Sequence, residues 1–363
     1  MKADFLIVGQ GLAGTLLGFE LLQAGQQVLF IDSADYKKAS EVAAGLVNPV
    51  VFKRLAKSWL VDELFPVMTD TYSRLEILLG QKFFFPMKIQ KVFGAGDAEF
   101  WQKKAAENKL GAYLNHLPDY SSYDRLKLAY GCGWVEKGGR VDLRGLIAAF
   151  REYLGQNGLL FAETFDFKLL NTDGKQMSYK NIEASKIIFC EGHRGSQNPF
   201  FKDVKYKHTK GEVLDLTIAG YQSDHILNKS VFLMPAGEER FRLGATYNWD
   251  ELDEQPTDAA KSELTGKLEQ VFSGDFVVTG HQTGIRPTTH DRRPVVGLHP
   301  DYPGIGIFNG LGAKGCLVGP FVAARFAACL TGKPDTLHPE TDLGRYYPGK
   351  TDNSRRAGSS DGQ

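Results

Sequence analysis

Cysteine is scarce in this chain: its 363 residues include four, Cys132, Cys190, Cys316 and Cys329. None forms a C-x-x-C pair or stands at metal-ligand spacing from a histidine, so neither a zinc site nor a disulfide framework is indicated and no metal is expected. A reducing, cytoplasmic setting fits that pattern. Net charge is lacking too. Lys plus Arg and Asp plus Glu come to 43 each, which argues against bulk attraction to nucleic acid or to an anionic membrane and leaves only local patches. Met1-Lys2 runs into an apolar segment without a basic n-region, a long h-region or a small-residue cleavage site, so secretion is not expected. Gly304 to Leu330, the longest apolar stretch, carries Lys314, Arg325 and many glycines, and reads as a buried loop and helix rather than a membrane span.

Glycine, by contrast, is abundant. There are 40 glycines where average usage of roughly 7% would give about 25, and they fall in clusters that suggest tight turns and close backbone approaches. The length exceeds the roughly 100–200 residues of one ordinary domain, so two domains or one large domain with an insertion are expected. Ala3 to Val8 and Gln27 to Ile31 are short apolar runs flanking a helical pattern from Leu12 to Gln23, which predicts strand, helix, strand. A helix is expected around Leu60 to Leu79. Phe83 to Trp134, rich in aromatics and less regular, reads as an insertion. A helix over Leu146 to Asn157 precedes expected strands at Phe161 to Leu170, Gln176 to Tyr179 and Lys186 to Cys190. Gly211 to Leu216, Ser230 to Met234 and Phe241 to Thr246 predict an antiparallel sheet, followed by a helix near Ala259 to Phe272 and a final helix from Gly315 to Leu330. The polar, small-residue-rich tail 350–363 is expected to be disordered.

Gly9-Gln10-Gly11-Leu12-Ala13-Gly14 matches G-x-G-x-x-G between an expected strand and helix, and Asp32 closes the next strand about 20 residues on. Gly9 permits the turn, Gly11 admits a pyrophosphate, Gly14 lets the helix pack on the sheet, and Asp32 would accept from ribose hydroxyls. Helix N-terminal amides then face the phosphates. An acid at Asp32 also disfavours the 2′-phosphate of NADP. Near the other end, Gly310-Leu311-Gly312-Ala313-Lys314-Gly315 precedes the last helix, and its amides are suited to an anion, with Lys314 either adding charge or lying solvated on a loop. Arg286, between turn residues in Gly284-Ile285-Arg286-Pro287, offers a planar fork for a carboxylate, or serves as a structural arginine paired with Asp291.

These motifs, together with Asp32-Ser33, Ser40 to Gly45, Gly139 to Leu143, Glu191-Gly192, Lys210-Gly211-Glu212 and Gly244-Ala245-Thr246, come in the order found in the D-amino-acid oxidase superfamily of flavoenzymes, which the chain resembles from Lys2 to about Gly332. It is closest in character to glycine oxidase. The resemblance implies an α/β fold, a Rossmann-type FAD-binding domain with an interleaved antiparallel-sheet substrate domain. The expected division is 1–80, 139–200 and 280–345 for FAD binding and 81–138 and 201–279 for the substrate domain. It implies cofactor contacts at Gly9, Gly11, Leu12, Ala13, Gly14, Asp32, Ser33, Ser40, Ala43, Ala44, Gly45, Phe167, Gly192, Arg286, Gly310, Gly312, Ala313, Lys314 and Gly315. Arg286 is the implied carboxylate ligand of the substrate, and Phe232 and Tyr247 match residues lining the pocket.

The implied activity is oxidation of the C–N bond of a small amino acid or N-alkylated amino acid by hydride transfer to FAD, with imine hydrolysis and reoxidation by molecular oxygen or another acceptor. No protein acid or base is required. Val47-Asn48-Pro49 and Lys53-Arg54 also resemble the oxidase domain of the bifunctional tRNA wobble-uridine modification enzyme and sarcosine oxidases, which makes an N-alkylglycine an alternative to glycine. No cysteine follows Arg286 closely, so the FAD is expected to be non-covalent. Alternatives are an FAD-dependent 2-hydroxy-acid dehydrogenase and a tRNA-demodifying oxidase, although the neutral charge suggests no nucleic-acid partner.

Overall fold

The structure is a computed structural model and describes residues 1–172, 177–333 and 336–349. The expected tail 350–363 and the start of the expected strand at Gln176 lie outside the described residues. The strand Lys2–Val8 is buried along nearly its whole length, as a continuous apolar run in a parallel sheet must be. It pairs in parallel with Ile182–Phe189 on one side and Val28–Ile31 on the other. Ile305–Asn309 extends the sheet beyond Ile182–Phe189, and Leu160–Phe161 extends it beyond Val28–Ile31, both in parallel. Val295–Leu298 closes one edge antiparallel.

The helix Leu12–Gln23 has matching bounds in sequence and structure, and is apolar nearly all round because both of its sides are covered. On one side Gly18 lies so close to Phe30 that an added Cβ would sit 2.1 Å from the ring. On the other, a Cβ on Gly319 of the last helix would meet the Leu16 side chain at 2.7 Å. The last helix, Gly315–Leu330, is therefore a core helix, despite being long and apolar enough to resemble a membrane span.

Two compact units divide the chain. The first takes Met1–Glu41, Arg144–Thr209 and the residues from Arg286 onward; the second takes Val42–Leu143 and Lys210–Ile285. This differs from the expected boundaries chiefly in placing residues 42–80 in the second unit. The second unit holds a sheet in which Val277–Arg286, Thr209–Thr217, Arg240–Gly244, Phe232–Gly237, Ile226–Asn228, Phe84–Val92, Cys132–Val141 and Leu46–Val47 are successive neighbours. From Thr209–Thr217 to Leu46–Val47 the neighbours run antiparallel, except Ile226–Asn228 with Phe84–Val92, which are parallel.

Two stretches fold differently from what their sequence pattern predicts. Phe83 to Trp134 is not merely an irregular insertion, because it contributes the nine-residue strand Phe84–Val92, whose partner is Cys132–Val141. Phe161 to Leu170 is not one strand: after Leu160–Phe161 the chain leaves the sheet and forms a short 3-10 turn, Phe167–Leu169. The apolar side chains that suggested a strand pack onto the core from a loop, with Phe165 stacked on Tyr179 at 4.4 Å and Phe167 on Phe189 at 5.5 Å between ring centroids.

Candidate active site

The three glycines of the N-terminal motif each meet a different constraint. Gly9 has φ +99°, and a Cβ there would lie 2.5 Å from the Cys190 carbonyl oxygen. A Cβ on Gly14 would lie 1.9 Å from the Gly9 carbonyl oxygen. Gly11, the helix N-cap, has ordinary extended backbone, and a Cβ there would meet within 4 Å only the Ser40 hydroxyl, at 3.4 Å. Gly9 and Gly14 are thus glycine for packing, whereas Gly11 leaves an open approach to the backbone. That is the cradle a pyrophosphate requires. It lies where the strand order reverses, between Lys2–Val8 and Ile182–Phe189.

Ser40 accepts a hydrogen bond from the Leu12 N–H at 3.0 Å and so caps the first turn; Ala13 follows in the same turn. Asp32 is buried, and its Oδ1 accepts from the Gln10 N–H at 2.8 Å. Its Oδ2 faces the Lys38 ammonium at 3.1 Å and the Arg151 guanidinium. These two cations, invisible in the motif, fix the orientation of the carboxylate. Ser33 donates to Asp35 at 2.8 Å.

The C-terminal turn lies beside the first. A Cβ on Gly315 would be 3.2 Å from the Leu12 side chain, so the N-terminal ends of the two long helices are neighbours. Their dipoles together favour negative charge at that end. Gly310 and Gly312 both have positive φ, at +77° and +57°. Ala313 is exposed, and Lys314 is half-buried, with burial pulling its ammonium down to about 8.

Arg286 is half-buried at the end of Val277–Arg286. The next residue, Pro287, accepts a hydrogen bond from the Gly312 N–H at 3.0 Å, which ties the arginine's segment to the C-terminal turn. On the other side Lys207 N–H donates to the Thr288 carbonyl at 2.7 Å, and Tyr206 bridges Thr289. Asp291, the acid that a structural arginine reading would assign to Arg286, pairs with Arg345 at 3.0 Å.

The pairing of 205–208 with 287–290 brings in residues that the sequence reading missed. His208 stacks on Tyr206 at 5.0 Å and lies against the backbone of Arg286 and His193. Burial pulls both His208 and His193 below the usual imidazole value, and each is further lowered by a neighbour, His193 beside His208 and Arg194 beside His193. Both therefore favour the neutral form near pH 7. Histidines without a spacing motif give no sequence signal of this.

Gly192 has φ +59°, and its carbonyl accepts from the Asn309 side chain at 2.7 Å. Glu191 beside it accepts from Asn198 at 2.7 Å, and burial raises its carboxyl to about 7 from an ordinary value of 4.5. Since the folded value is the higher, folding stability is lost as pH rises from about 4.5 to about 7. Glu191→Gln, which keeps an acceptor for Asn198, is expected to restore up to about 3 kcal/mol at pH 8 and to flatten the pH profile of urea unfolding. An unchanged profile would show that Glu191 does not titrate in this range.

In the second unit, Gly45 has φ +79° and a Cβ there would meet the Val141 carbonyl oxygen at 1.8 Å. Ala43 is exposed and its carbonyl accepts from Arg242 at 3.1 Å, while Ala44 is half-buried. Phe232 sits opposite Gly244 in the sheet, close enough that a Cβ on Gly244 would come 2.8 Å from its ring. Tyr247 is exposed and stacks on Trp249 at 6.1 Å. Its segment is anchored: Asn248 and Lys210 exchange backbone hydrogen bonds of 2.8 and 3.0 Å, and the buried Lys210 ammonium holds Asp253 at 2.7 Å. Glu212 lies 3.8 Å from Lys210 and accepts from the Thr257 N–H at 2.8 Å. Phe167, by contrast, turns its ring into the core aromatic cluster rather than to an open face.

Among the described residues no group of three or more His, Cys, Asp or Glu side chains could hold a metal ion. The family model described as FAD dependent oxidoreductase (DAO) matches residues 4–329. The oxidoreductase YurR of Bacillus subtilis (strain 168) is 23% identical, over 95% of this chain and 98% of its own. A glycine oxidase of Bacillus licheniformis is 22% identical, over 92% and 94%. The crystal structure of iminodiacetate oxidase from Chelativorans sp. BNC1 superposes with a TM-score of 0.76 at 22% identity, covering 94% of this chain and 98% of that one.

Proposed function

The chain belongs to the DAO family of FAD-dependent oxidoreductases, and from that premise we propose that it oxidises the C–N bond of a small amine carrying a carboxylate, either glycine or an N-alkylated glycine. The observation that carries this reading is the hydrogen bond from Gly312 to Pro287, which sets Arg286 next to the glycine turn at the paired helix ends. A carboxylate recogniser then stands beside a natural anion site in one unit. Glycine and iminodiacetate, the compounds in the names of two similar proteins, both place a carboxylate one carbon from the amine.

FAD supplies the hydride acceptor when bound, and oxygen or another acceptor restores it. The residues of the chain hold and orient. Gly9, Gly11 and Gly14 would cradle the pyrophosphate and Asp32 the ribose, while the amides from Gly310 to Gly315 would face developing negative charge. Arg286 would grip the substrate carboxylate through two parallel N–H donors, fixing the direction of the Cα–H bond. We place the reaction in a reducing, cytoplasmic setting, in keeping with four free thiols.

The test is an anaerobic titration of the yellow holoenzyme with glycine, sarcosine, iminodiacetate, D-amino acids and 2-hydroxy acids, followed by flavin absorbance. Bleaching by amines supports the proposal. Bleaching by 2-hydroxy acids alone overturns it. Oxygen consumption then separates an oxidase from a dehydrogenase. Acid precipitation is expected to release the flavin into the supernatant, since Pro287 and not a cysteine follows Arg286; yellow colour retained in the pellet would show a covalent bond.

A further inference from the structure

Away from the residues assigned above, the second unit carries a cleft of about 620 Å3 lined by Lys53, Arg54, Ala56, Phe100, Lys104 and Asn108. The strands Val50–Val51 and Ala56–Lys57 form a hairpin, and Lys53 and Arg54 stand exposed at its tip. The tip is held in place. The Leu55 carbonyl accepts from the Asn108 side chain at 2.6 Å, and buried Leu55 adopts φ +41°, a costly conformation for leucine. Phe52 lies under the Lys91 ammonium at 5.2 Å. The hairpin that carries the two cations is thereby anchored to the end of the helix Asp97–Glu107.

On that helix Phe100 and Lys104 share one face, four residues apart. Phe100 is 39% exposed, unusual for a phenylalanine beside so much charge. Lys104 pairs with Glu107 at 2.5 Å, whereas Lys53 and Arg54 have no carboxylate partner among the described residues. A helix C-terminus attracts cations, which accounts for Lys104 in its last turn. It does not account for an exposed aromatic ring, or for two more cations brought in on a separate, braced hairpin. An arginine fork, an ammonium and an aromatic face together suit a phosphate joined to a flat ring.

We propose that this cleft binds a nucleotide, its phosphate held by Lys53 and Arg54 and its base stacked on Phe100. The nucleotide is either free or part of an RNA strand. The balanced net charge of the whole chain does not oppose this, because binding depends on local charge.

The experiment titrates the holoenzyme with a fluorescein-labelled 12-nucleotide single-stranded RNA and, separately, with ADP, at 50 and 200 mM NaCl. At least one probe is expected to bind in the micromolar range. RNA binding should weaken about tenfold across that salt range if two or three phosphates are engaged. The double variant Lys53→Glu, Arg54→Glu should weaken the bound probe at least about tenfold, and Phe100→Ala should weaken it while leaving the salt dependence unchanged. Turnover of the amine substrate should be unaffected. RNA binding alone identifies a strand, and ADP binding alone a free nucleotide. The proposal is overturned if neither probe binds below 1 mM, or if charge reversal lowers thermal stability but not affinity, which would assign the cations to the helix end.

Discussion

Replacing Arg286 with alanine is expected to lower kcat/KM for a carboxylate-bearing amine by about a thousandfold, close to 4 kcal/mol. The size follows from what remains: a substrate carboxylate brought into a half-buried position without its partner, which costs more than a lost neutral hydrogen bond. Arg286→Lys should recover part of the loss, because an ammonium restores the charge but not the planar fork. An amine without a carboxylate should be oxidised equally by the variant and the parent enzyme. That comparison separates recognition from a general disturbance of the flavin. A loss below about threefold would remove Arg286 from the substrate site.

The sequence exposes those parts of the molecule that are local. The strand at Lys2–Val8 and the helix at Leu12–Gln23 are set by a contiguous apolar pattern and by glycines that act on their nearest neighbours in the chain. The last helix is legible for the same reason, even with Pro320 inside it. Phe84–Val92 is not, because its strand character depends on the distant Cys132–Val141, and Pro86 obscures its pattern. Pro86 is tolerated where Ile226–Asn228 does not reach, its pairing on that side being confined to Ile89, Gln90 and Lys91. The site divides in the same way. Gly9, Gly11 and Gly14 stand in one short motif, but Arg151 reaches Asp32 from 119 residues away. Glu191 is shifted by burial, and His208 meets Arg286 only because two distant segments pair. Such environments are products of the fold and leave no spacing to read.

Gly11 and Gly14 offer the sharpest test of the nucleotide cradle, because the same substitution should fail for different reasons at the two positions. Gly14→Ala places a methyl 1.9 Å from the Gly9 carbonyl oxygen, a backbone atom that cannot swing aside as the end of a flexible side chain can. The helix must move off the sheet, at a cost of about 3 kcal/mol, and the apoprotein should melt roughly 6–12 °C lower. Gly11→Ala should leave the apoprotein's melting temperature within about 2 °C of the parent, since alanine accepts the N-cap backbone angles and its methyl meets only the Ser40 hydroxyl at 3.4 Å. Its methyl would instead occupy the approach left to the pyrophosphate. FAD affinity, read by quenching of flavin fluorescence, should fall at least about a hundredfold, or about 3 kcal/mol. Lost stability at Gly14 tests packing alone. Unchanged FAD binding by Gly11→Ala would move the cofactor's phosphates elsewhere, whatever the outcome at Gly14.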